Sequence, residues 1–267
     1  MFAFYCFVFL LSSHFCISLL DSNPIIIVTG ANSGLGKECA KILALSGHSV
    51  VLACRNLSNG KEAISDILKE NSEAKVELES LDLSNFESIE EFSMKIGKRP
   101  VQAIIHNAGI LNGKRSVYGY DNVLQVNHYG PFVLTKLLVK NLLKAVDIGI
   151  DTRVIMVTSN THAWGNFDKP YLRGGKSIKS WKGYANSKLY NIMYASEFHK
   201  RYNKLGIKSL SVRPGLCRTN ITRNNKILHY FYGIFELFLT PVNEGSKAIV
   251  HATLGEIMGG AYYNKFK

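Results

Sequence analysis

Residues 25–36 read IIIVTGANSGLG, an apolar β-branched run that becomes polar and rich in glycine from Gly30 onward. An apolar run that ends at glycine predicts a buried strand of a parallel sheet, and the helical spacing of 37–46 predicts that a helix follows. Gly30 permits a tight turn, Gly34 lets backbone approach a pyrophosphate, and Gly36 allows close packing of helix on strand. The helix N-terminus then offers free N–H groups to phosphates, so the stretch predicts a dinucleotide site.

The same alternation of apolar runs and helical spacing continues along the chain. Further strands are predicted over 48–54, 74–82, 101–107, 152–159 and 207–215, and further helices over 58–70, 84–97, 118–145 and 182–205. Strand followed by helix, repeated in this way, predicts an α/β fold with a Rossmann-type doubly wound parallel sheet of about seven strands. No linker or repeat divides the chain, so one domain is expected over 23–267, after a hydrophobic segment at 1–22. Ligands of such sheets bind outside the carboxyl ends of the strands.

Composition narrows the classes of protein and partner. The chain has 267 residues, of which 46% are hydrophobic, enough to bury a core. Its formal charge of +12 could attract nucleic acid, anionic lipid or a phosphorylated cofactor, but no aromatic-basic motif accompanies it, and no nucleic-acid partner is expected. An odd number of cysteines without CxxC spacing argues against a zinc site and a disulfide framework, so no metal is expected. They are Cys6, Cys16, Cys39, Cys54 and Cys217.

Two apolar segments point to a membrane. Residues 1–20 contain no Lys, Arg, Asp or Glu and are about as long as a bilayer-spanning helix, which favours a membrane anchor. A cleaved signal peptide and a wrongly assigned gene start stay open. The second segment, Ile227 to Leu239, is too short to span, and Arg218, Arg223 and Lys226 precede it. It is expected to lie at a membrane interface, to cover the site as a lid, or both.

Tyr184 and Lys188, in the stretch YANSK, lie four positions apart and so share one face of a predicted helix. An ammonium beside a phenol favours the phenolate, which is one way to make a general acid/base that works at neutral pH. Alone, the pair is unspecific, because both residue types are common on solvated helices. Together with the glycine spacing GxxxGxG, it resembles the short-chain dehydrogenases/reductases.

The remaining signatures of that family follow in chain order. They are Asp82 and Leu83 in LDLS, Asn107, Ala108 and Gly109 in HNAG, Asn127 in VNHYG, Ser159 in VTSN, Pro214 and Gly215 in RPG, and Thr219 after it. His106 is a departure, since the family usually has asparagine there, and it is not expected to break cofactor support.

The resemblance implies a role for each catalytic candidate. Tyr184 exchanges a proton with the substrate oxygen, while Lys188 lowers the pKa of that phenol and bonds the nicotinamide ribose. Ser159 holds the substrate oxygen where negative charge develops. Asn127 distorts its helix and positions a water that links Lys188 to solvent.

The resemblance also implies a cofactor site, and the second strand indicates which cofactor it takes. That strand ends LACRN, where Arg55 stands in place of the carboxylate that binds the ribose of NAD, so NADP(H) is expected over NAD(H). The expected cofactor-binding residues are Gly30, Asn32, Ser33, Gly34, Leu35, Gly36, Arg55, Asp82, Leu83, Asn107, Ala108, Gly109, Tyr184, Lys188, Pro214, Gly215 and Thr219.

Within the family, the chain resembles the retinol dehydrogenase-like branch and the catalytic domain of WW-domain-containing oxidoreductases, without WW domains. The stretches that carry this likeness are VVLACRN, VELESLDLSNFESIEEF, LQVNHYGPFVLTKLL, SKLYNIMYASEFHKR and IMGGAYYNK. The branch implies an oxidoreductase for a small hydrophobic alcohol or carbonyl of the retinoid, steroid or lipid-aldehyde class. The alternative is a fold kept as a regulatory or protein-interaction module. The enzyme is favoured because every catalytic position is filled.

A glycosylation sequon at Asn56 indicates which cellular compartment the catalytic domain faces. The sequon lies beside the expected 2′-phosphate site, where a glycan would obstruct the cofactor. A catalytic domain facing cytosol is therefore expected, on the endoplasmic reticulum membrane, whereas a cleaved signal would mean secretion. A homodimer is left open.

Three residues near the catalytic candidates carry no assigned chemistry. His162 is expected to be a loop or pocket-wall residue, and Trp164 and Trp181 either line an apolar substrate pocket or pack in the ordinary way.

Overall fold

The computed structural model describes residues 23–113, 115–174, 180–215, 217 and 240–266. Its centre is a seven-stranded sheet in the order β3-β2-β1-β4-β5-β6-β7, with parallel pairing throughout. The strands are β1 (Ile25–Thr29), β2 (Ser49–Cys54), β3 (Val76–Ser80), β4 (Val101–His106), β5 (Thr152–Val157), β6 (Ile207–Arg213) and β7 (Tyr262–Asn264). The predicted α/β, Rossmann-type single domain is confirmed.

The helices connect successive strands across the two faces of the sheet. They are α1 (Gly34–Leu45), α2 (Leu57–Glu70), α3 (Phe86–Ile96), α4 (Asn122–Leu124), α5 (Gly130–Asp147), α6 (Lys169–Leu172), α7 (Ser180–Tyr202) and α8 (Val242–Leu254). A π-helical turn over Gln125–Tyr129 joins α4 to α5, and 3₁₀ turns cover Asn160–Trp164 and Asn203–Leu205.

Alternate side chains of each strand enter two separate cores, one on each face of the sheet. On β1, Ile26 and Val28 pack with α1, α2 and α8, while Ile25 and Ile27 pack with α3, α5 and α7. All five residues of β1 are buried. Because helices cover both faces, the central strands are mostly apolar, and the carboxyl edge of the sheet is where a ligand has access.

Two elements were not anticipated individually from the sequence. The edge strand β7 is three residues long, too short to show a period of alternation. Helix α8 packs on the α1 side of the sheet, and the buried Arg153 of β5 holds its end by donating to the Ala252 carbonyl at 3.0 Å.

The helix expected over 118–145 begins at Asn122 and contains the π turn, a feature that apolar spacing does not distinguish from an α-helix.

Several expectations fall outside the described residues. These are the segments 1–22 and 227–239, Thr219, and the basic residues Arg218, Arg223 and Lys226. Within the part of the chain that the structure describes, no helix is both long and apolar enough to cross a bilayer.

The core on the α3 side gives a test of the packing. Phe92 of α3 is fully buried, so Phe92→Ala should lower the free energy of unfolding by about 3–5 kcal/mol. Met94 on the same helix is 71% exposed, and Met94→Ala should change that free energy by less than about 0.5 kcal/mol. Chemical denaturation of both variants measures the difference. Equal losses would contradict the placement of α3.

Candidate active site

A cavity of about 420 Å³ opens at the carboxyl edge of the sheet. Its walls come from the segments that follow β1, β2, β3, β4, β5 and β6, together with α7. Most of the residues expected from the sequence line it, namely Gly30, Asn32, Ser33, Gly34, Leu35, Arg55, Asp82, Leu83, Asn107, Ala108, Gly109, Ser159, Tyr184, Lys188, Pro214 and Gly215. Gly36 and Asn127 do not line it.

The glycine-rich turn after β1 forms one wall. Gly30 and Gly34 have φ angles of +65° and +55°, in the left-handed region that favours glycine. A Cβ on Gly36 would overlap the Asn107 side-chain nitrogen and the Gly30 carbonyl oxygen, so this glycine permits a close contact behind the cavity. Ser33 begins α1 without a side-chain cap in the described part of the chain, which leaves the first N–H groups of the helix for a ligand.

Thr29 and Asn107 join the ends of the two central strands. The Thr29 hydroxyl accepts hydrogen bonds from the backbone N–H groups of Asn107 and Ala108, both at 3.1 Å. In return, the Asn107 side chain donates to the Thr29 carbonyl at 3.0 Å. These bonds hold the HNAG segment against the glycine-rich turn, so the cavity floor is a fixed backbone surface.

Asp82 and Arg55 lie at the part of the cavity formed by β2 and β3. The Asp82 carboxylate accepts from the Ser84 N–H and hydroxyl at 2.9 and 2.6 Å, which fixes its orientation. Arg55 is exposed at the cavity wall and forms no ion pair with any residue that the structure describes. Its guanidinium is therefore available to an anionic group in the cavity.

Tyr184 and Lys188 lie on one face of α7, against the end of β5. The Lys188 ammonium is 5.5 Å from the centre of the Tyr184 ring and donates to the Val157 carbonyl at 2.9 Å. Lys188 is buried, and loss of hydration lowers its pKa to about 8. Thr158 adds a hydrogen bond to the Lys188 carbonyl at 3.2 Å, so this turn of α7 is anchored on β5.

Asn127 lies in the π turn, behind the cavity wall. Its side chain accepts from the Ile110 N–H at 2.8 Å and donates to the Ile110 carbonyl at 2.9 Å and to the Ser187 hydroxyl at 3.1 Å. Ser187 in turn donates to the Tyr184 carbonyl at 2.7 Å. The side chain of Asn127 thus connects the segment after β4 to the turn of α7 that carries Tyr184 and Lys188.

The backbone carbonyl of Asn127 has its own partner. Asn191 donates to it at 2.9 Å from its amide nitrogen, and the amide oxygen of Asn191 meets His128 Nδ1 at 2.9 Å. Since that oxygen only accepts, His128 carries its proton on Nδ1. A carbonyl oxygen has two lone pairs, and Pro131, four residues further on, has no N–H for a helical bond to Asn127, so this carbonyl can also accept from a water.

Ser159 follows β5 and lines the cavity. Its hydroxyl accepts from the Thr161 N–H at 3.3 Å and begins the 3₁₀ turn. His162 Nδ1 bonds the Ser159 carbonyl at 2.6 Å, and its ring packs edge-on against Tyr262 at 5.0 Å. His162 therefore supports the backbone of Ser159; it lies in the 3₁₀ turn and does not line the cavity.

His106 points away from the cavity, into the core beneath α5. Its Nε2 contacts the Thr135 hydroxyl at 2.7 Å, and that hydroxyl donates its proton to the Pro131 carbonyl. His106 Nε2 must therefore carry a proton, and Nδ1 has no partner among the described residues. Burial lowers the His106 pKa to about 3, so the ring is neutral. Histidine in place of asparagine at position 106 therefore leaves the hydrogen bonds between Thr29 and Asn107 intact.

The remaining sequence candidates lie as follows. Cys54 and Cys217 are buried free thiols whose pKa values burial raises to about 12 and about 11, and Cys217 lines the cavity. Trp164 and Trp181 were expected either to line a substrate pocket or to pack in the ordinary way. Both are exposed, and neither lines the cavity.

Sequence reasoning missed the residues that connect the site from behind. Ser187 and Asn191 touch Asn127 but carry no reacting group, so no chemical motif singles them out. A helical reading could have found Asn191, because it lies one turn beyond Lys188 on the same face. Further wall residues, among them Thr29, Asn56, Ile110 and Thr158, directly neighbour the expected ones.

These features fit a dinucleotide. The glycine-rich turn brings bare backbone to the cavity, α1 presents free N–H groups, and Arg55 offers a cation at one wall. A phenol, a buried ammonium and a hydroxyl share the same cavity, which can exchange a proton with a substrate oxygen and stabilise charge on it.

Known proteins resemble this chain in sequence and structure. The family "short chain dehydrogenase" matches residues 24–227. Mouse "Retinol dehydrogenase 12" is 31% identical over 252 residues, which are 92% of this chain and 78% of that protein. Chicken "WW domain-containing oxidoreductase" is 35% identical over 260 residues, which are 91% of this chain and 62% of that protein. A Caenorhabditis elegans short-chain dehydrogenase/reductase of unknown function has the same fold, with a TM-score of 0.72 at 19% identity over 91% of this chain and 93% of that one.

The family match covers most of the chain and includes the glycine-rich turn, Ser159, Tyr184 and Lys188. With the fold and the cavity in agreement, the chain belongs to the short-chain dehydrogenase family of oxidoreductases.

Proposed function

We propose that this chain, over residues 23–267, is an NADP(H)-dependent oxidoreductase that interconverts a small hydrophobic alcohol and its carbonyl. The observation that carries the proposal is that Ser159, Tyr184 and Lys188 line the same cavity as the glycine-rich turn and Arg55. A proton donor and a dinucleotide site in one cavity are what a reaction between cofactor and carbonyl requires. The nicotinamide, when bound, supplies or accepts the hydride at the substrate carbon.

The protein's own residues handle the proton and the developing charge. Tyr184 donates a proton to the substrate oxygen during reduction and accepts it during oxidation, while Ser159 donates a hydrogen bond to that oxygen. With a pKa of about 8, Lys188 is mostly protonated at neutral pH, and its positive charge beside the Tyr184 ring favours the phenolate. Asn127 holds this turn of α7 in place through Ser187, and its carbonyl offers a position for a relay water.

Binding of the cofactor is assigned to the cavity walls. The N-terminus of α1 and the turn at Gly34 would hold the pyrophosphate, Asp82 would meet the adenine, and Lys188 would bond the nicotinamide ribose. Arg55 favours NADP(H), since a planar, permanently charged guanidinium forms charge-assisted bidentate hydrogen bonds with a phosphate and only a weaker bond with a neutral 2′-hydroxyl.

The substrate class and the membrane setting rest on the relatives and on composition. The retinol dehydrogenases among the relatives act, by their names, on an apolar alcohol. We propose the same class here, with the protein associated with a membrane and the catalytic domain facing cytosol.

The proposal is tested by mixing the purified chain with NADPH and a panel of apolar carbonyls, including retinal, a ketosteroid and a lipid aldehyde. Oxidation of NADPH, followed by its absorbance, is expected with at least one of them and not without substrate. If none is turned over in either direction while the protein is folded, the fold serves as a regulatory or interaction module instead.

Replacing the proposed proton donor should stop turnover. Tyr184→Phe is expected to lower kcat by a factor of about 10² to 10⁴, because it removes a positioned acid and little else. Binding of NADPH, measured by its fluorescence, should stay nearly unchanged. A Phe variant that kept half of the native activity would exclude Tyr184 from this role.

Replacing the proposed phosphate-binding residue should change cofactor preference. Arg55→Asp is expected to weaken NADPH binding and to improve NADH binding, because a carboxylate repels the 2′-phosphate and accepts from the free 2′-hydroxyl. The ratio of kcat/KM values for the two cofactors measures the shift. Equal affinity of the native chain for both cofactors would contradict the proposed preference for NADP(H).

A further inference from the structure

Three large aromatic side chains are exposed at the surface: one ends the 3₁₀ turn after β5, one follows that turn, and one lies in the first turn of α7. Trp164 is 62% exposed, Phe167 54% and Trp181 55%. Exposed side chains of this size are uncommon in a cluster, and they mark a surface that meets another apolar phase. We call these three residues the aromatic patch.

The backbone beneath the aromatic patch is held firmly. Lys182 donates to the Trp164 carbonyl at 2.5 Å, and its ammonium lies 5.8 Å from the centre of the Trp181 ring, so one lysine connects the two tryptophans. The Phe167 ring packs edge-on against Tyr190 at 6.1 Å, and the Asn166 N–H donates to Asn186 at 2.8 Å. The patch is therefore a built feature of the surface rather than a loose loop.

The aromatic patch adjoins the candidate active site. Trp164 ends the 3₁₀ turn that Ser159 begins, and Trp181 lies three positions before Tyr184, nearly one helical turn away. Yet neither tryptophan lines the cavity. Trp164 and Trp181 thus lie on the segments that carry Ser159 and Tyr184, but outside the cavity itself.

The charges around the aromatic patch are mainly positive. Lys169 and Arg173 are exposed on the segment that follows Phe167, and Lys182 lies between the tryptophans. The single acidic residue of this segment, Asp168, accepts from the Tyr171 N–H at 3.0 Å and caps α6. Aromatic side chains with lysine and arginine at their edge match the boundary between acyl chains and anionic headgroups.

We propose that the aromatic patch docks the catalytic domain onto an anionic membrane surface, with Trp164, Phe167 and Trp181 entering the headgroup boundary. The basic residues then contact the lipid phosphates and carboxylates. Docking in this orientation turns the substrate side of the cavity toward the bilayer. The inference rests on the proposed function in one respect, the preference for a hydrophobic substrate, which could then reach the cavity without crossing water.

The chain itself supplies a reporter, because its two tryptophans are the two in the patch. The full chain is mixed with vesicles of phosphatidylcholine with or without phosphatidylserine, and tryptophan emission is recorded. On vesicles with phosphatidylserine the emission should shift to shorter wavelength, and lipids brominated on their acyl chains should quench at least roughly half of it. The experiment uses neither cofactor nor substrate, so its failure is distinct from failure of the proposed reaction.

Two variants keep both tryptophans and test the patch directly. Phe167→Ala should raise the lipid concentration that gives half of the fluorescence change roughly tenfold, whereas Met94→Ala, at a still more exposed site on α3, should not change that concentration. Lys169→Glu should raise the lipid concentration that gives half of the fluorescence change roughly fivefold or more, whereas Lys61→Glu on the other face of the sheet should have a much smaller effect.

Three results would overturn the proposal. The chain could sediment with the vesicles without any quenching, which would place membrane contact on another part of it. It could fail to bind vesicles at all. The emission could instead shift with protein concentration in the absence of lipid, which would make a second copy of the chain the occupant of the patch.

Discussion

The side-chain amide of Asn127 is the interaction on which the arrangement of the site depends. It bonds both backbone groups of Ile110, in the segment after β4, and the hydroxyl of Ser187 in α7. Each such bond contributes only about 0.5–1.5 kcal/mol, but Asn127 is buried, so losing a partner would leave polar groups unpaired in the interior. The amide therefore fixes the distance between the backbone that lines the cavity at Ile110 and the helix that carries Tyr184 and Lys188.

The π turn explains how one residue can do this. A π turn widens the helix locally and changes the direction of its side chains, and such turns often occur at functional sites. Here the turn covers Gln125–Tyr129, and Asn191 of α7 donates to the Asn127 carbonyl within it. Ser187 and Asn191 thus bind the side chain and the backbone of the same residue. The bonds from α7 lie behind the cavity wall, and Tyr184 and Ser159 line the cavity itself.

Much of this could be predicted from the sequence, because parallel sheets constrain their ligand sites. Apolar runs alternating with helical spacing predict the strands, and a glycine-rich turn after the first strand locates the carboxyl edge. Three features could not be predicted from the sequence, each for a physical reason. The orientation of His106 depends on a tertiary hydrogen bond to Thr135, and β7 is too short to show a period. The exposure of Trp164 and Trp181 depends on how α7 meets the 3₁₀ turn, which no local pattern encodes.

The proposed reaction requires one cavity to hold both the dinucleotide and the residues that exchange the proton. A crystal structure of the chain with bound NADPH tests it most directly. We expect the 2′-phosphate against Arg55, the pyrophosphate over the N-terminus of α1, and the nicotinamide ring beside Tyr184 and Lys188. A dinucleotide bound outside this cavity, or bound in it with the nicotinamide at Arg55, would exclude the proposed site.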